Sequence, residues 1–263
     1  MIGFNSLGKF GRLGNQMFQF AALKGIARNC GYEYCFPPSE NKNEWTDHQI
    51  LIPFKLSNTS QLNIQYIDKD RPVVTENNFC FDENLFNNCP DWATLQGFFQ
   101  TEKYFKHIDS EIRGDFEFKN EILEPCKDMI SGLNNPISIH IRRTDYISNP
   151  NHTTLDLDYY KKALIEFDND TIVLVFSDDP EWCNQQDLFS DDRFLIAEQN
   201  SNYVDMCLMT LCSGHIIANS SFSWWGAWLS NSKKVVAPDG WFRGSNNETL
   251  DTSDIIPNEW VIL

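Results

Sequence analysis

Two adjacent arginines follow a short run in which apolar and polar residues alternate, and their position suits the binding of an anion. The run Ile137–Ile141 has the pattern of a strand, and Arg142, Arg143 and Asp145 come directly after it. A guanidinium group is planar, keeps its charge and can bind two phosphate oxygens at once. The carboxyl ends of strands in a doubly wound sheet open into the ligand crevice. The pair is therefore predicted to neutralise a diphosphate, with Asp145 holding one arginine in place. The alternative is a surface salt bridge worth under about 1 kcal/mol.

A second polar segment stands where another short strand leads into a helix. Its members are Asn219, Ser220, Ser221, Phe222 and Ser223. Hydroxyl groups cap free amides at a helix N-terminus, and those amides with the helix dipole form a site for anions. Beside Arg142, the segment is predicted to face the same diphosphate, and a capping role alone is the alternative. Stacking on a sugar or base would suit the tryptophans that follow, but a core role is favoured. They are Trp224, Trp225 and Trp228.

An acidic pair, Asp178 and Asp179, follows the apolar run Thr171–Phe176. Carboxylate oxygens at a strand end could bind Mg²⁺ or Mn²⁺. The same oxygens could cap the next helix or accept hydrogen bonds from a ribose or base. The metal-free roles are favoured, because two arginines already supply the positive charge that a metal would bring.

A weaker signal lies near the start of the chain, where glycines punctuate residues 8–15. The spacing is not G-x-G-x-x-G, so a dinucleotide-binding fingerprint is not supported. Gly14, Asn15 and Gln16 are nevertheless candidates for a loop that approaches a sugar or diphosphate. A helical pattern follows the loop and is predicted to end at Gly31.

The charge balance narrows the classes of partner. The formal net charge of −16 repels nucleic acid and anionic membranes, so neither is a predicted partner. An anionic ligand must then be met by fixed local basic groups. The eight cysteines show no C-x-x-C spacing and are interpreted as buried free thiols. No run of 18 apolar residues and no basic leader occurs, which predicts a cytoplasmic enzyme.

Strand and helix patterns alternate in the second half of the chain. Strands are predicted at 137–141, 171–176, 214–218 and 234–237, and helices at 158–167, 203–212 and 222–229. Repeated βα units imply an α/β fold with a parallel, doubly wound sheet. Residues 36–125 are rich in asparagine and weakly periodic, and their strand order is not predicted.

Four segments together resemble a known family. His140–Asp145 resembles the H-x-R-R-x-D motif of the GDP-fucose-dependent α-1,2-fucosyltransferases. Gly14–Ala21, Gln96–Gln100 and Asn219–Trp228 are similar to further segments of that family, so the resemblance spans nearly the whole chain. The first motif is shared with α-1,6- and protein O-fucosyltransferases, whereas the last segment is specific for the α-1,2 group. Thr144 stands where the family often has glycine, which leaves the role of the arginines intact.

The resemblance implies a GT-B-type fold of two Rossmann-like domains, with the donor site in the C-terminal doubly wound domain. The expected domains are an acceptor-side domain at 1–125, a GDP-sugar-binding domain at 126–245 and a tail at 246–263 packing back on the first domain. Animal members carry an N-terminal membrane anchor that is lacking here, which implies a bacterial-type or viral-type enzyme, cytoplasmic or peripheral at a membrane where glycans are assembled.

The implied reaction is the transfer of L-fucose from GDP-β-L-fucose to the 2-hydroxyl of a terminal galactose. It would be inverting and metal-independent, with no cofactor, and its partners would be GDP-fucose and a galactose-terminated oligosaccharide. Arg142 and Asp145 would be catalytic, Arg142 contacting the β-phosphate. The implied donor-binding set also contains His140, Arg143, Asp178, Asn219, Ser220, Ser221, Phe222 and Ser223. Alternatives are a fucosyltransferase of another linkage, a metal-dependent glycosyltransferase using Asp178 and Asp179, and an inactive nucleotide- or carbohydrate-binding module.

Overall fold

The computed structural model describes residues 1–38, 48–56, 59, 63–198, 200–242 and 249–263. The chain divides into two compact units, Met1–Lys119 with Asp251–Pro257 and Asn120–Leu250 with Asn258–Leu263. The boundary between the units lies at 119/120 instead of the expected 125/126. The reason is that the helix Asn120–Ile130 packs on the helix Asn202–Thr210 of the second unit. The tail also differs from expectation, since 251–257 joins the first unit but 258–263 joins the second.

The first unit contains a parallel sheet whose described strands run in the order β2-β1-β4-β3. The strands are β1 (Ile2–Gly3), β2 (Tyr34–Cys35), β3 (Val73–Thr75) and β4 (Thr94–Gln96). The helices of this unit are α1 (Leu13–Cys30), α2 (Glu83–Asn88) and α3 (Asp109–Asp115). The described strands within 36–125, β3 and β4, have three residues each, which is too short to show an alternating pattern.

Helix α1 joins β1 to β2 and is buried on nearly every side. It ends as predicted at Gly31, whose left-handed φ of 70° lets the Tyr32 N–H donate to the carbonyl of Ala27. The helix begins at Leu13, so Gly14, Asn15 and Gln16 form its first turn and not the expected loop. Gly25 faces the backbone of Tyr104, where a Cβ atom would lie 2.0 Å from the Tyr104 carbonyl oxygen.

The second unit contains the larger sheet, in which all described strand pairs are parallel. Its strands are β5 (Ile137–Ile141), β6 (Val173–Ser177), β7 (Phe194–Ile196), β8 (Gly214–Ile216), β9 (Val235–Ala237) and β10 (Val261–Ile262). Its helices are α4 (Asn120–Ile130), α5 (Thr144–Ser148), α6 (Leu157–Leu164), α7 (Pro180–Asn184), α8 (Asn202–Thr210) and α9 (Ser221–Ser230). The predicted α/β class with parallel strands is confirmed.

The order of this sheet is β10-β9-β8-β5-β6-β7. Numbered from β5, this is the 3-2-1-4-5-6 order of doubly wound nucleotide-binding sheets. The strand order reverses between β5 and β8. The last residues that pair between these two strands are Ile139 and Ile216. Ligands of such sheets bind outside the carboxyl ends of the strands at this switch point. Strands β7 and β10 were not predicted, and β10 extends the sheet beyond β9, the expected last strand.

The aromatic helix α9 packs in the core of the second unit. Trp224, Trp225 and Trp228 are buried, which confirms their predicted core role. The tail contributes to this cluster, since the Trp260 ring lies 5.5 Å from that of Trp224. All eight cysteines are free thiols; most are buried, and Cys30 and Cys80 are partly exposed. In the described part of the chain, no helix is long and apolar enough to cross a membrane.

His215 on β8 connects three elements of the second unit through buried hydrogen bonds. Its Nδ1 lies 2.7 Å from the Ser138 hydroxyl on β5, and its Nε2 lies 2.7 Å from the Ser230 hydroxyl at the end of α9. Burial lowers the pKa of His215 to about 3, because the imidazolium would lose its hydration. The neutral ring therefore holds α9 against the centre of the sheet.

We predict that Gly25→Ala destabilises the protein by about 1–3 kcal/mol, despite the better helix propensity of alanine. The added methyl group would overlap a backbone carbonyl that cannot rotate away. Thermal unfolding measures the effect, and Gly132→Ala is the matched control because a Cβ atom there meets nothing within 4 Å. Equal melting temperatures for the two variants would contradict the close approach of α1 to Tyr104.

We also predict that stability falls on acidification below pH 6.5. The unfolded protein takes up a proton on His215 near its ordinary pKa of 6.5, whereas the folded protein does so only near pH 3. The loss is at most about 1.4 kcal/mol per pH unit for this group. Melting temperatures between pH 7.5 and pH 5.5 should fall less steeply in His215→Gln than in the wild type, and equal slopes would contradict the assignment.

Candidate functional site

The candidate site lies at the switch point of the second sheet, where two segments leave neighbouring strands. One segment follows β5 and carries Arg142 and Arg143 into α5, and the other follows β8 and reaches α9 at Ser221. The segments touch, because the Tyr146 hydroxyl donates to the Asn219 carbonyl oxygen at 3.1 Å. The structure thus brings together the two polar segments that the sequence predicted to face one ligand.

Arg142 is held by two carboxylates and an aromatic ring. Its Nη2 lies 2.6 Å from Oδ1 of Asp145, and its Nη1 lies 3.1 Å from Oδ2 of Asp178. Its guanidinium carbon is 5.5 Å from the centre of the Tyr146 ring. Only 16% of the side chain is exposed, so the group is held at the carboxyl end of β5 and is not free in solvent. The expected pairing of Asp145 with an arginine is confirmed.

Arg143 is held by the carboxylate of Asp179 and by the indole ring of Trp182. Its Nε lies 3.2 Å from Oδ2 of Asp179, and its guanidinium carbon lies 3.7 Å from the centre of the Trp182 ring. This is a close cation–π contact on a mostly buried side chain. The backbone N–H of Arg143 donates to Oδ1 of Asp178 at 2.9 Å.

The four carboxylate oxygens of Asp178 and Asp179 are all engaged by donors of the second unit. Asp178 accepts from Arg142, from the backbone of Arg143 and from the Thr144 hydroxyl. Asp179 pairs with Arg143 and caps α7 by accepting the Trp182 N–H at 3.2 Å. The helix-capping alternative is thus confirmed for Asp179, and the contacts of Asp178 position the arginines. Among the described residues, no group of three or more His, Cys, Asp or Glu is arranged to hold a metal ion.

The segment after β8 divides into structural and accessible residues. Ser220 is the cap of α9, with its hydroxyl 3.4 Å from the Phe222 amide. The Asn219 side-chain amide donates to the carbonyls of Thr153 and Trp241, each at 3.0 Å. Ser223 departs from expectation, because it is fully buried and its hydroxyl lies 3.3 Å from the carbonyl oxygens of residues 218 and 220. Its hydroxyl is used inside the first helical turn and is not available to a ligand.

Accessible groups nevertheless remain at the start of α9. Ser221 and Phe222 are partly exposed at the N-terminus of this ten-residue helix. A helix N-terminus presents backbone N–H groups and a partial positive charge. Together with the guanidinium groups of Arg142 and Arg143, this end of α9 suits a ligand with several negative charges.

His140 lies under the site as a neutral imidazole. Its ring is 5.4 Å from that of Phe222, and Tyr160 donates to its carbonyl oxygen at 3.2 Å. Burial, together with the nearby charge of Arg142, lowers the pKa of His140 to about 3, and the carboxylate of Asp178 opposes this shift. Its Nδ1 is buried without a partner among the described residues. A neutral ring can donate or accept one hydrogen bond without adding charge.

Gly14, Asn15 and Gln16 lie in the first unit, where the side chains of Asn15 and Gln16 have partners. Gln100 donates to Oδ1 of Asn15 at 2.8 Å, which connects two of the motif segments. Gln16 accepts the Gln49 N–H at 2.8 Å and donates to the Gly11 carbonyl at 3.2 Å. These contacts stabilise the start of α1, so a ligand role for this turn stays a prediction.

Sequence reasoning missed Tyr146 and Trp182, whose rings pack against the two guanidinium groups. Tyr146 is only four residues after Arg142, on the short helix α5 that follows it, and this spacing could have been noticed. Trp182 is far from Arg143 in sequence and becomes its neighbour only because β5 pairs with β6.

Comparison with known proteins shows what the chain is similar to. The family model described as glycosyl transferase family 11 matches residues 2–263. An alpha-1,2-colitosyltransferase of Escherichia coli is 32% identical, with 95% of this chain and 96% of that protein covered. The galactoside alpha-(1,2)-fucosyltransferase 2 of Sus scrofa is 25% identical, with 89% of this chain and 72% of that protein covered.

Among solved structures, POFUT1 in complex with GDP-fucose is similar with a TM-score of 0.58 at 15% identity. The alignment covers 88% of this chain and 94% of that one. At this identity the likeness concerns the fold alone. It confirms the expected GT-B-type architecture, in keeping with the two parallel sheets.

We predict unequal costs for removing the two carboxylates that hold Arg142. Asp178→Asn should cost about 1–3 kcal/mol, because a mostly buried charged group loses its partner. Asp145→Asn should cost under about 1 kcal/mol, because Asp145 is 46% exposed. Chemical denaturation of both variants provides the measurement, and an equal or reversed order would contradict this description of the site.

Proposed function

This chain belongs to glycosyl transferase family 11, and on that premise we propose that it transfers L-fucose from GDP-β-L-fucose to the 2-hydroxyl of a terminal galactose in a glycan. The observation that carries the proposal is the fixed guanidinium of Arg142 at the switch point of a nucleotide-binding sheet. The relative from Sus scrofa, a galactoside alpha-(1,2)-fucosyltransferase, supports the choice of reaction.

In the proposed reaction, the acceptor oxygen attacks the anomeric carbon of fucose from the face opposite GDP, and the configuration inverts. The bond between that carbon and the β-phosphate oxygen breaks with its electron pair leaving on GDP. Negative charge therefore grows on the β-phosphate as the transition state forms. A guanidinium that is already in place therefore stabilises the transition state more than the ground state, and this difference is the condition for catalysis.

Arg142 combines a rigid and a displaceable partner. Asp178 is 17% exposed and is itself held by Arg143 and Thr144, so it keeps the guanidinium of Arg142 in position. Asp145 is 46% exposed, and it is the carboxylate whose place on the guanidinium a phosphate oxygen would take or share. In this proposal Asp145 supports catalysis through Arg142.

The remaining donor contacts are proposed for Arg143, His140 and the start of α9. Arg143 would add a second positive charge along the diphosphate. Ser221 and Phe222 would contact the nucleotide at the helix N-terminus, where amide groups favour phosphate. The neutral ring of His140 would offer a hydrogen bond. Asn219 would shape this end of the site through its carbonyl contact with Tyr146, and Ser220 through its hydroxyl, which caps α9.

A second candidate donor sugar is favoured by one observation. The relative with 32% identity is an alpha-1,2-colitosyltransferase, whereas the fucosyltransferase of Sus scrofa is 25% identical. Colitose is L-fucose without its 3-hydroxyl, so the two donors carry the same diphosphate and differ by one hydroxyl group. Initial rates with GDP-fucose and GDP-colitose, measured side by side on a β-galactoside acceptor, distinguish the two candidates.

Metal independence is also part of the proposal, and it is supported by the engagement of Asp178 and Asp179 with the arginines. Turnover should be unchanged by EDTA. Loss of activity with EDTA and recovery with Mg²⁺ or Mn²⁺ would instead favour a metal-dependent glycosyltransferase. A protein that binds GDP but never releases it from GDP-fucose would be an inactive binding module.

We predict that Arg142→Ala lowers kcat by about 100- to 1000-fold, because one donor to the developing charge is lost. Arg142→Lys should be intermediate, since it keeps the charge but loses the planar fork. GDP release from GDP-fucose with a β-galactoside acceptor is the measurement. Arg193→Ala is the matched control, because Arg193 precedes β7 at the amino end of that strand. An Arg142→Ala enzyme within threefold of wild-type turnover would refute the role.

A further inference from the structure

His152 belongs to an aromatic stack beside the guanidinium of Arg142. Its ring is parallel to that of Tyr146, with 4.2 Å between centres and 9° between planes. The Phe242 ring packs on it at 5.8 Å. The Tyr146 ring also contacts the guanidinium of Arg142, at 5.5 Å. Tyr146 thus links the imidazole to the group that is proposed to hold the leaving diphosphate.

The loop that carries His152 is fixed to both segments of the site. The His152 N–H donates to the Asn149 carbonyl at 3.3 Å, which closes a turn after α5. The next residue, Thr153, accepts from the Asn219 side chain at 3.0 Å and donates from its hydroxyl to the Phe242 carbonyl at 3.3 Å. These contacts hold the imidazole in one place, although its Nδ1 has no hydrogen-bond partner in the part of the chain that the structure describes.

The two nitrogens of His152 differ in access. Nδ1 is buried and has no partner among the described residues, while the residue as a whole is partly exposed. An approaching hydroxyl group would therefore meet Nε2. Burial lowers the pKa of His152 below 6.5; the carboxylate of Asp145 opposes this shift, and the charge of Arg142 adds to it. The ring is neutral at pH 7 and able to accept a proton.

We infer that His152 is the general base of the proposed transfer, accepting the proton of the acceptor hydroxyl on Nε2. This inference rests on the proposed function. As the acceptor oxygen bonds to the anomeric carbon, its proton passes to the imidazole, and the electron pair of the broken bond leaves with GDP. The imidazolium then returns its proton to water, which restores the neutral ring for the next cycle.

The nearby carboxylates are less suited to this role. Asp145 is 2.6 Å from Arg142, and the oxygens of Asp178 and Asp179 are taken by the contacts described above. In the first unit, burial raises the pKa of Glu76 to about 7, which makes it the strongest rival base. One oxygen of Glu76, however, accepts the N–H groups of Phe98 and Phe99 at 2.7 and 2.9 Å, which indicates a structural role.

The assignment predicts a large loss of turnover with little loss of donor binding. His152→Gln and His152→Ala should lower kcat by about 100- to 10 000-fold, the usual contribution of a general base. The Kd for GDP should stay within threefold of the wild type. The measurement is GDP release from GDP-fucose with a β-galactoside acceptor, and His107→Gln, an exposed histidine of the first unit, is the control.

The pH profile and chemical rescue separate catalysis from structure. Among the described residues, the charged groups facing His152 are Asp145 and Arg142, and its other contacts are with Tyr146, Thr153 and Phe242. In the wild type, kcat should fall below pH 6.5 as the base becomes protonated, and this acid limb should vanish in His152→Gln. Added imidazole should restore part of the activity of His152→Ala, which a merely structural role would not allow.

The outcomes also separate this inference from the proposed function. A wild-type protein that releases no GDP from GDP-fucose with β-galactoside acceptors would overturn the proposed function and this assignment with it. An active wild type, combined with a His152→Gln variant that keeps its turnover and its acid limb, would overturn the assignment alone. Loss of the limb in Glu76→Gln and not in His152→Gln would do the same.

Discussion

The site depends on the carboxylate of Asp178, which binds both arginine residues at the switch point. One of its oxygens accepts the backbone N–H of Arg143, and the other faces the guanidinium of Arg142. A buried carboxylate is costly unless it is paired and hydrogen-bonded, and here both conditions are met. The pairing turns a flexible arginine into a fixed donor, so little reorganisation is needed when charge develops on a ligand.

The local charge balance explains why such fixing is needed in so acidic a protein. Two guanidinium groups face three carboxylates at the site, and the whole chain carries a formal charge of −16. The overall electrostatic field therefore opposes the approach of an anionic ligand to the site. Binding must come from short, directed contacts, which arginine forks and the amides at the start of α9 can provide. The more exposed Asp145 leaves room for such a contact on Arg142.

Helix α9 and the sheet act as one support for these groups. His215 fixes the end of α9 to β5 and β8, and the buried tryptophans of α9 fill the core beneath. The accessible start of the helix is thereby held at the carboxyl edge of the sheet, close to the segment after β5. Tyr146 closes the arrangement with its hydrogen bond to Asn219 and its ring contact with Arg142.

The sequence by itself determined the long buried strands β5 and β6, the helices with clear periodicity, and the two polar segments that follow β5 and β8. These features are local, because residue type and spacing decide them within a few positions. The tertiary structure alone decided that Asp178 meets the two arginines, which are 35 and 36 residues earlier, that Ser223 turns inward, and that the tail adds β10 to the second sheet. Such contacts join residues that are distant in sequence. They form only once the strands have paired, and the loss of chain entropy on closing the loops opposes them. No local sequence pattern therefore predicts these contacts.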